Sequence, residues 1–545
     1  MSSKTNKNKN APGRVTARRN RLISALHAHC VLKLYTSAAI AADAMRVFSP
    51  VGPLPRAFFN RPIQAHNDTK MKTDDFKNWL DSFLNFEKLP TKNIFWLDTM
   101  EFLAERFGQP QEAAPCVHVA GSKGKGSVSR MISSILTESG KKCGLYTSPH
   151  IKDFYERASL NGELFETALY ESCADEMRKK VDALKDGALP SGRQITWFEL
   201  VTLYAFLCFR AAKTDANVFE VGLGGRLDAT NIVRPKIAVI NTIELEHTEF
   251  LGDTLEKIAA EKAGIIKENT PVLCAASPAG VRAVFEKAAK EKNARLYMAD
   301  DLLEDLRFDY EKDSQALDAD DQNCSKAITR GTASNRSQDQ DTGGQYFMNV
   351  TIKSPLFKRP LNARTRLLGK VQAQNAFLAA AAVRLAFPEI DEDTIERGLS
   401  IAALPARFQT INLMGGADGN QGLLIVDGAH TVNSISGTME TFNAIFANDA
   451  RPKRLLFACA ADKDVAHIAP LFKRVDGSPI FERVIITKLN SAKQSDPQKA
   501  AAAFKSADLA FDLQEDYSAA ISAALSCAKN DGAILLATGS FYLAA

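Results

Sequence analysis

The stretch V-H-V-A-G-S-K-G-K-G-S-V-S-R, Val117 to Arg130, joins two apolar runs through six residues that hold three glycines and two lysines. The first run, A-P-C-V-H-V-A-G, has the length and the closing glycine of a buried strand. The second, S-V-S-R-M-I-S-S-I-L-T-E-S-G, places Val128, Met131, Ile132, Ile135 and Leu136 on one helical face and stops at Gly140. A strand, a glycine loop and a helix in that order can cradle a phosphate on backbone N–H groups and on the helix N-terminus. The common loop of this kind, G-x-x-x-x-G-K-[ST], has its hydroxyl directly after the lysine. Here Gly126 separates Lys125 from Ser127. Gly121, Gly124 and Gly126 let the backbone bend, and Ser122 and Lys123 complete the cradle. Lys125 can reach phosphate oxygens, and Ser127 is placed to hold Mg2+. The alternative is a flexible basic turn.

Outward from the loop, strand and helix signals alternate. K-K-C-G-L-Y-T-S, A-N-V-F-E-V-G-L-G-G and P-K-I-A-V-I-N-T-I each read as a β run bounded by turn residues. Such alternation predicts a parallel sheet covered on both faces. In L-L-G-K-V-Q-A-Q-N-A-F-L-A-A-A-A-V-R-L-A-F, a helix is expected over Asn375–Phe387. Four further strand-like runs, G-L-L-I-V-D-G-A-H, R-P-K-R-L-L-F-A-C-A, F-E-R-V-I-I-T-K and D-G-A-I-L-L-A-T-G-S, predict a second α/β unit. The expected organisation is a leader over residues 1–70, a larger domain that carries the glycine loop over 71–403 and a smaller domain over 404–545. Residues 311–346 are polar, rich in Ser, Asp, Gln and Gly, and read as a disordered insertion.

Composition narrows the class. The chain has 545 residues, more than one ordinary core accommodates. Its net charge is +4, but residues 1–70 carry +10 and the remainder −6. The Arg-rich, acid-poor start resembles an organellar leader; equally, Met71 can be the natural start. No basic stripe interleaved with aromatics points to nucleic acid. No apolar run reaches the ~18 residues of a membrane span. Nine cysteines without a C-x-x-C pair read as reduced thiols.

G-S-K-G-K-G-S fits the form G-x-x-G-K-G-[ST], and with it the chain resembles the Mur ligase superfamily, within it the folylpolyglutamate synthases and dihydrofolate synthases. Further blocks carry the resemblance: Y-T-S-P-H and E-R-A-S-L-N-G, E-V-G-L-G-G-R-L-D-A-T-N, E-H-T-E-F-L-G with E-K-A-G-I, Q-N-A-F, L-P-A-R, V-D-G-A-H-T, A-D-K-D with Lys463 and A-T-G-S-F-Y with Ser540. The usual W-P-[GA]-R has Leu404 in place of the tryptophan. The resemblance implies a Mur-ligase-like P-loop ATPase domain with a parallel-rich sheet and a smaller Rossmann-like C-terminal α/β domain. It implies Ser127, Ser148, Glu220 and His247 as metal ligands, and Asn375, Arg407 and Asp427 as nucleotide contacts beside the loop. Gln374 and Asn375 would stand before the last helix of the ATPase domain. Lys125, Arg407, His430 and Lys262 would be catalytic, with Lys262 a candidate for carbamylation. The implied cofactors are ATP and Mg2+, with a monovalent cation such as K+ as a further candidate.

The implied reaction joins L-glutamate to the γ-carboxylate of a folate through an acyl phosphate. Dihydrofolate synthesis from dihydropteroate, or both activities in one chain, is the near alternative. A nucleotide-binding module without catalysis is the remote one. The expected protein is a monomer that binds neither nucleic acid nor membrane. Its expected compartment is the cytoplasm, or the mitochondrion if the leader is genuine.

Overall fold

The computed structural model describes residues 73–85, 96–151, 153–185, 187–312, 346–413, 422–490 and 494–544. All belong to one compact unit, Lys70–Ala545. The leader and nearly all of the expected insertion lie outside the described residues. The bounds set for the insertion need correction: Glu311 and Lys312 end one strand and Tyr346 begins its partner.

The first seven strands are β1 (Cys116–Ala120), β2 (Cys143–Tyr146), β3 (Ala158–Leu160), β4 (Ala216–Glu220), β5 (Ile237–Ile240), β6 (Val272–Cys274) and β7 (Leu296–Met298). They form one sheet in the order β3-β2-β4-β1-β5-β6-β7. All neighbours run parallel except β2 and β3. Every residue of β1, β2, β4 and β5 is buried, as expected of a sheet with helices on both faces.

Side-chain alternation divides the core. Val117, Val119, Leu145, Val218 and Val239 pack with the loop helix Lys125–Glu138 and the helix Lys370–Ala386. Cys116, Tyr146 and Phe219 face the other way, against the helices Thr167–Asp182 and Trp197–Ala212. β1 sits between β4 and β5, so the loop after β1, the glycines after β4 and the segment after β5 converge at one sheet edge. Crevices at the carboxyl ends of parallel strands are where such sheets bind ligands.

Two more sheets complete the unit. β8 (Asp305–Lys312), β9 (Tyr346–Lys353) and β10 (Leu361–Thr365) are antiparallel. β11 (Gln409–Leu413), β12 (Gly422–Val426), β13 (Lys453–Phe457), β14 (Arg483–Ile486), β15 (Asp512–Leu513) and β16 (Ile534–Thr538) form the C-terminal sheet. Its order is β11-β12-β16-β13-β14-β15, with only the β11–β12 pair antiparallel. No described helix is long and apolar enough to cross a membrane.

The helix expected over Asn375–Phe387 begins earlier, at Lys370. Gln374 and Asn375 therefore lie inside it, and another helix, Glu392–Ile401, follows before the C-terminal domain. The first turns concealed the start, because Lys370 and Gln374 are exposed and Asn375 faces the phosphate loop instead of the core. Both helices pack on the loop helix, and at Gly398 the approach is closest. A Cβ there would lie 2.4 Å from Ile135 Cα, a backbone atom with little room to yield. Gly398→Ala is expected to destabilise the protein by about 1–3 kcal/mol, seen as a lower urea midpoint with an unchanged m-value.

Candidate active site

The phosphate loop is held from below by side-chain amides. Asn241, just past β5, donates from Nδ2 to Asn375 Oδ1 at 2.8 Å, and Asn375 donates to Gln372 Oε1 at 3.1 Å. A Cβ on Gly124 would lie 2.3 Å from Asn241 Nδ2 and 2.7 Å from Asn375 Oδ1. Gly124 also has φ +74°, which an L side chain rarely adopts. Gly121 is equally constrained, because a Cβ would come within 2.9 Å of Asn241 Cβ. Ser122 N–H and Oγ donate to the Thr242 and Glu244 carbonyls at 2.8 and 3.1 Å. The loop is thus bolted to the segment after β5.

Gly126, the residue that breaks the common loop pattern, faces Glu220. A Cβ there would stand 3.6 Å from both carboxylate oxygens. Alanine would only touch Glu220, whereas a longer side chain would separate the carboxylate from the loop.

Glu220 ends β4 and is buried. It accepts a hydrogen bond from Ser148 N–H at 3.1 Å. Burial raises its pKa; Lys125, the Ser148 N–H, Arg407 and Arg157 pull it back. Arg157 is fully buried, donates to His150 Nδ1 at 2.8 Å and lies 4.8 Å from the Trp197 ring centre.

Asp228 shapes the glycines after β4. Its Oδ2 accepts from Gly222 N–H at 3.0 Å and Leu223 N–H at 2.9 Å. Its Oδ1 takes the Thr230 N–H and hydroxyl. Thr230 Oγ1 is therefore left to accept from His118 Nε2, 2.8 Å away in β1. Burial, and then Lys267, hold His118 neutral, with a pKa of about 3. In E-R-A-S-L-N-G, Asn161 and Gly162 form the turn of a tight hairpin, with φ +52° and +83°. The Leu160 and Glu163 backbones exchange both hydrogen bonds across it, so these two residues serve the fold.

Lysines crowd the other side of the loop. Lys125 and Lys262 both donate to the Gly121 carbonyl at 3.0 Å, and Lys262 also pairs with Glu246 at 2.8 Å. Burial, then Lys125, lower the Lys262 pKa to about 8, against the pull of Glu246. Burial also lowers the pKa of Lys123, with Lys125 and Lys463 adding to the shift against Glu246 and Glu244. His247 has φ +45° and stands exposed at the rim. Its pKa is lowered by crowding from protein and then by Lys125, Lys262 and Lys463, against Glu246. Lys463, from the C-terminal domain, thus lies within electrostatic reach of the loop.

Arg407 enters from the linker. Its neighbours Ala406 and Phe408 both have positive φ, +55° and +49°. Two such residues flanking one arginine mark stored strain. Asp427 holds them: it accepts from Phe408 N–H at 2.7 Å, Ala429 N–H at 2.8 Å and Thr438 Oγ1 at 3.1 Å. The Arg407 guanidinium donates to the Ala406 carbonyl at 3.1 Å. Burial lowers its pKa, while Asp427 and Glu220 oppose the shift. His430 donates from Nδ1 to the Gly428 carbonyl at 2.9 Å.

Ser127 Oγ is buried and has no hydrogen-bond partner among the described residues. A buried hydroxyl without a partner is costly unless a ligand completes it. Together with the Glu220 carboxylate it offers hard oxygen donors suited to Mg2+. No trio of His, Cys, Asp and Glu gathers among the described residues. The loop set thus brings Lys125, Ser127, Glu220, Arg407 and the Ser148 backbone together. His247 and Lys262 stand on its lysine side, and Asp427 lies behind the linker, occupied by three donors. Sequence reasoning assigned no role to Asn241, Glu246, Asp228 or Arg157, although all four lie inside the motifs it quoted.

The Mur ligase middle domain matches residues 119–383, and the Mur ligase glutamate ligase domain matches residues 406–541. The Bacillus subtilis dihydrofolate synthase/folylpolyglutamate synthase is 32% identical over 380 residues, 69% of this chain and 77% of that protein. The chain belongs to the dihydrofolate synthase/folylpolyglutamate synthase family. A probable bifunctional folylpolyglutamate synthase/dihydropteroate synthase of Haloferax volcanii is 30% identical over 450 residues. That match covers 82% of this chain but 47% of the Haloferax protein, so the chain spans about half the length of that relative. Among solved structures, Escherichia coli FolC in complex with DHPP and ADP superposes with a TM-score of 0.63 at 25% identity, covering 86% of this chain and 95% of that one.

The buried Lys262 gives this family member a pH signature. Its folded pKa of about 8 lies below the 10.5 of an exposed lysine. Between those values the unfolded chain binds more protons, so stability rises with pH there. Between pH 7.5 and 9.5 the wild-type protein is expected to gain on the order of 1–2 kcal/mol from this group. Lys262→Met is expected to gain less over the same interval, measured by urea denaturation at the two pH values.

Proposed function

We propose that this protein ligates L-glutamate to the γ-carboxylate of a reduced folate, consuming ATP. The observation that carries the reading is Glu220: a buried carboxylate at the phosphate loop, within electrostatic reach of Lys125 from one domain and Arg407 from the linker to the other. Two anions must approach each other for this reaction, and the lysines, Arg407 and the loop N–H groups offset their repulsion. A folate carboxylate oxygen attacks the γ-phosphorus of ATP, and the bond to ADP breaks. The glutamate amine then attacks the acyl carbon of the acyl phosphate, loses a proton and expels inorganic phosphate.

Lys125 and Arg407 flank the transferred phosphoryl group in this scheme, and His430 lies on the side where the amino acid enters. Ser127, Ser148, Glu220 and His247 would hold Mg2+, which when bound neutralises phosphate charge. Asn375 positions the loop, and Asp427 contacts the nucleotide only if the linker releases one of its oxygens. Lys262 is taken as the ammonium paired with Glu246. Its lowered pKa supplies the neutral amine that carbamylation would need, and a K+ ion is a separate addition. The protein is proposed to act as a monomer in the cytoplasm, with mitochondrial import as the alternative. The seven described cysteines are all unpaired, as in a reducing compartment.

The same chemistry applied to dihydropteroate gives dihydrofolate, and the name of the Bacillus subtilis relative carries both activities. The test supplies MgATP and labelled L-glutamate with tetrahydrofolate in one reaction and dihydropteroate in another, and resolves products by mass. Product from tetrahydrofolate supports the proposal; product from both makes the protein bifunctional. No product with either, while ATP still binds, leaves a binding module. Ser127→Ala is expected to leave the thermal midpoint unchanged, since the hydroxyl has no partner to lose. Its affinity for ATP should fall at least tenfold with Mg2+ present and little in EDTA.

A further inference from the structure

The block A-T-G-S-F-Y at the end of β16 has no role in the reaction described so far. Its Phe541 touches two of the residues that do. The Arg407 guanidinium carbon lies 4.3 Å from the Phe541 ring centre. The His430 ring packs against the same ring edge-on, 5.7 Å between centres at 60°. One aromatic side chain therefore stands between the linker arginine and the histidine of V-D-G-A-H.

The backbone fixes that ring in place. Gly539, with φ +111°, donates to the Ala429 carbonyl at 2.9 Å. A Cβ on it would come within 2.4 Å of the Ala458 carbonyl oxygen. Ser540 Oγ accepts from Tyr542 N–H at 3.1 Å and closes the turn. Gly428 leaves the space the ring fills, since a Cβ there would lie 2.5 Å from it. The two glycines on either side, from V-D-G-A-H and A-T-G-S, thus admit one aromatic residue into one slot.

We infer that Phe541 is a positioning residue for ligation, holding Arg407 and His430 in their working orientations. The inference rests on the reading of those two residues given above. A carboxylate could grip the guanidinium more firmly, but it would occupy the N–H donors and cancel the charge that a phosphate needs. The face of a ring attracts the cation without using its donors. Among the described residues the Arg407 side chain makes one hydrogen bond, to the carbonyl of Ala406, so most of its donors stay available. The edge contact and the Nδ1 bond to Gly428 together set the plane of the His430 ring.

The test uses the full chain and measures glutamate incorporation with varied ATP and glutamate. Phe541→Leu keeps an apolar side chain but removes the ring. It is expected to lower kcat about 3- to 30-fold, the range a desolvated cation–ring contact supports, with a smaller change in KM. Phe541→Tyr should restore most of the loss, because it keeps the face and the edge. In an Arg407→Ala background, Phe541→Leu should cost less than half of that factor. Equal factors in both backgrounds would show that the ring acts independently of Arg407 and overturn the inference. So would a Phe541→Leu protein with wild-type kcat. If Arg407→Ala alone leaves kcat unchanged, the reading of Arg407 falls and takes this inference with it. Should Phe541→Leu unfold, Phe541→Met carries the same comparison.

Discussion

Two ammonium groups, one buried and one half-buried, meet on one carbonyl. Lys125 and Lys262 both donate to Gly121 O, and Lys463 stands close enough to help lower the titration of Lys123 and His247. Positive charge gathered this densely is costly in a folded protein unless anions complete it. Glu246 supplies one anion for Lys262. Glu220 supplies another, but its own burial raises its pKa. The balance is that of a site short of negative charge, which a triphosphate and an acidic substrate would correct.

The fold is arranged to tolerate that strain. β1 lies at the centre of its sheet, so the loop emerges with a neighbour on each side. Asn241 bolts it from the β5 side; Asp228 fixes the glycines on the β4 side. Helices from later in the chain, Lys370–Ala386 and Glu392–Ile401, clamp the loop helix from outside. Arg130 of that helix also donates to the Ala403 carbonyl at 3.0 Å, which ties the loop helix to the start of the linker. The linker that carries Arg407 is strained at the non-glycine residue on each side of it, Ala406 and Phe408, and Asp427 holds the Phe408 N–H. Movement of the C-terminal domain would therefore carry Arg407 with it relative to Glu220.

Much of this was legible in the residues alone. The strand–loop–helix reading of Val117–Arg130 rested on an apolar run, three glycines and a 3.6-residue period, and these are local signals. Val128, Met131, Ile132, Ile135 and Leu136 are all fully buried, as their spacing implied. The helix start at Lys370 was not legible, because polar Gln372 and Asn375 mimic a loop until the phosphate loop they face is in place. The antiparallel β8–β10 sheet was missed because β8 and β9 border a long polar insertion that interrupts the strand–helix rhythm. β15 has two residues and no pattern to read.

The sequence by itself determined the chemistry available: a loop with Lys125 and Ser127, a carboxylate closing a strand at Glu220, and an arginine between two apolar segments at Arg407. Periodicity and turn residues are short-range properties, so one chain suffices to read them. Only the tertiary structure decided which groups meet. Asp427, expected at a nucleotide, is engaged by the linker backbone; Asn161 and Gly162, inside a family motif, make a turn. Lys262 faces Glu246, and Phe541 lies between Arg407 and His430. Such contacts depend on how the folded elements pack, which no short-range pattern encodes: Glu246 is 16 positions from Lys262, and Phe541 is more than a hundred from Arg407 and His430.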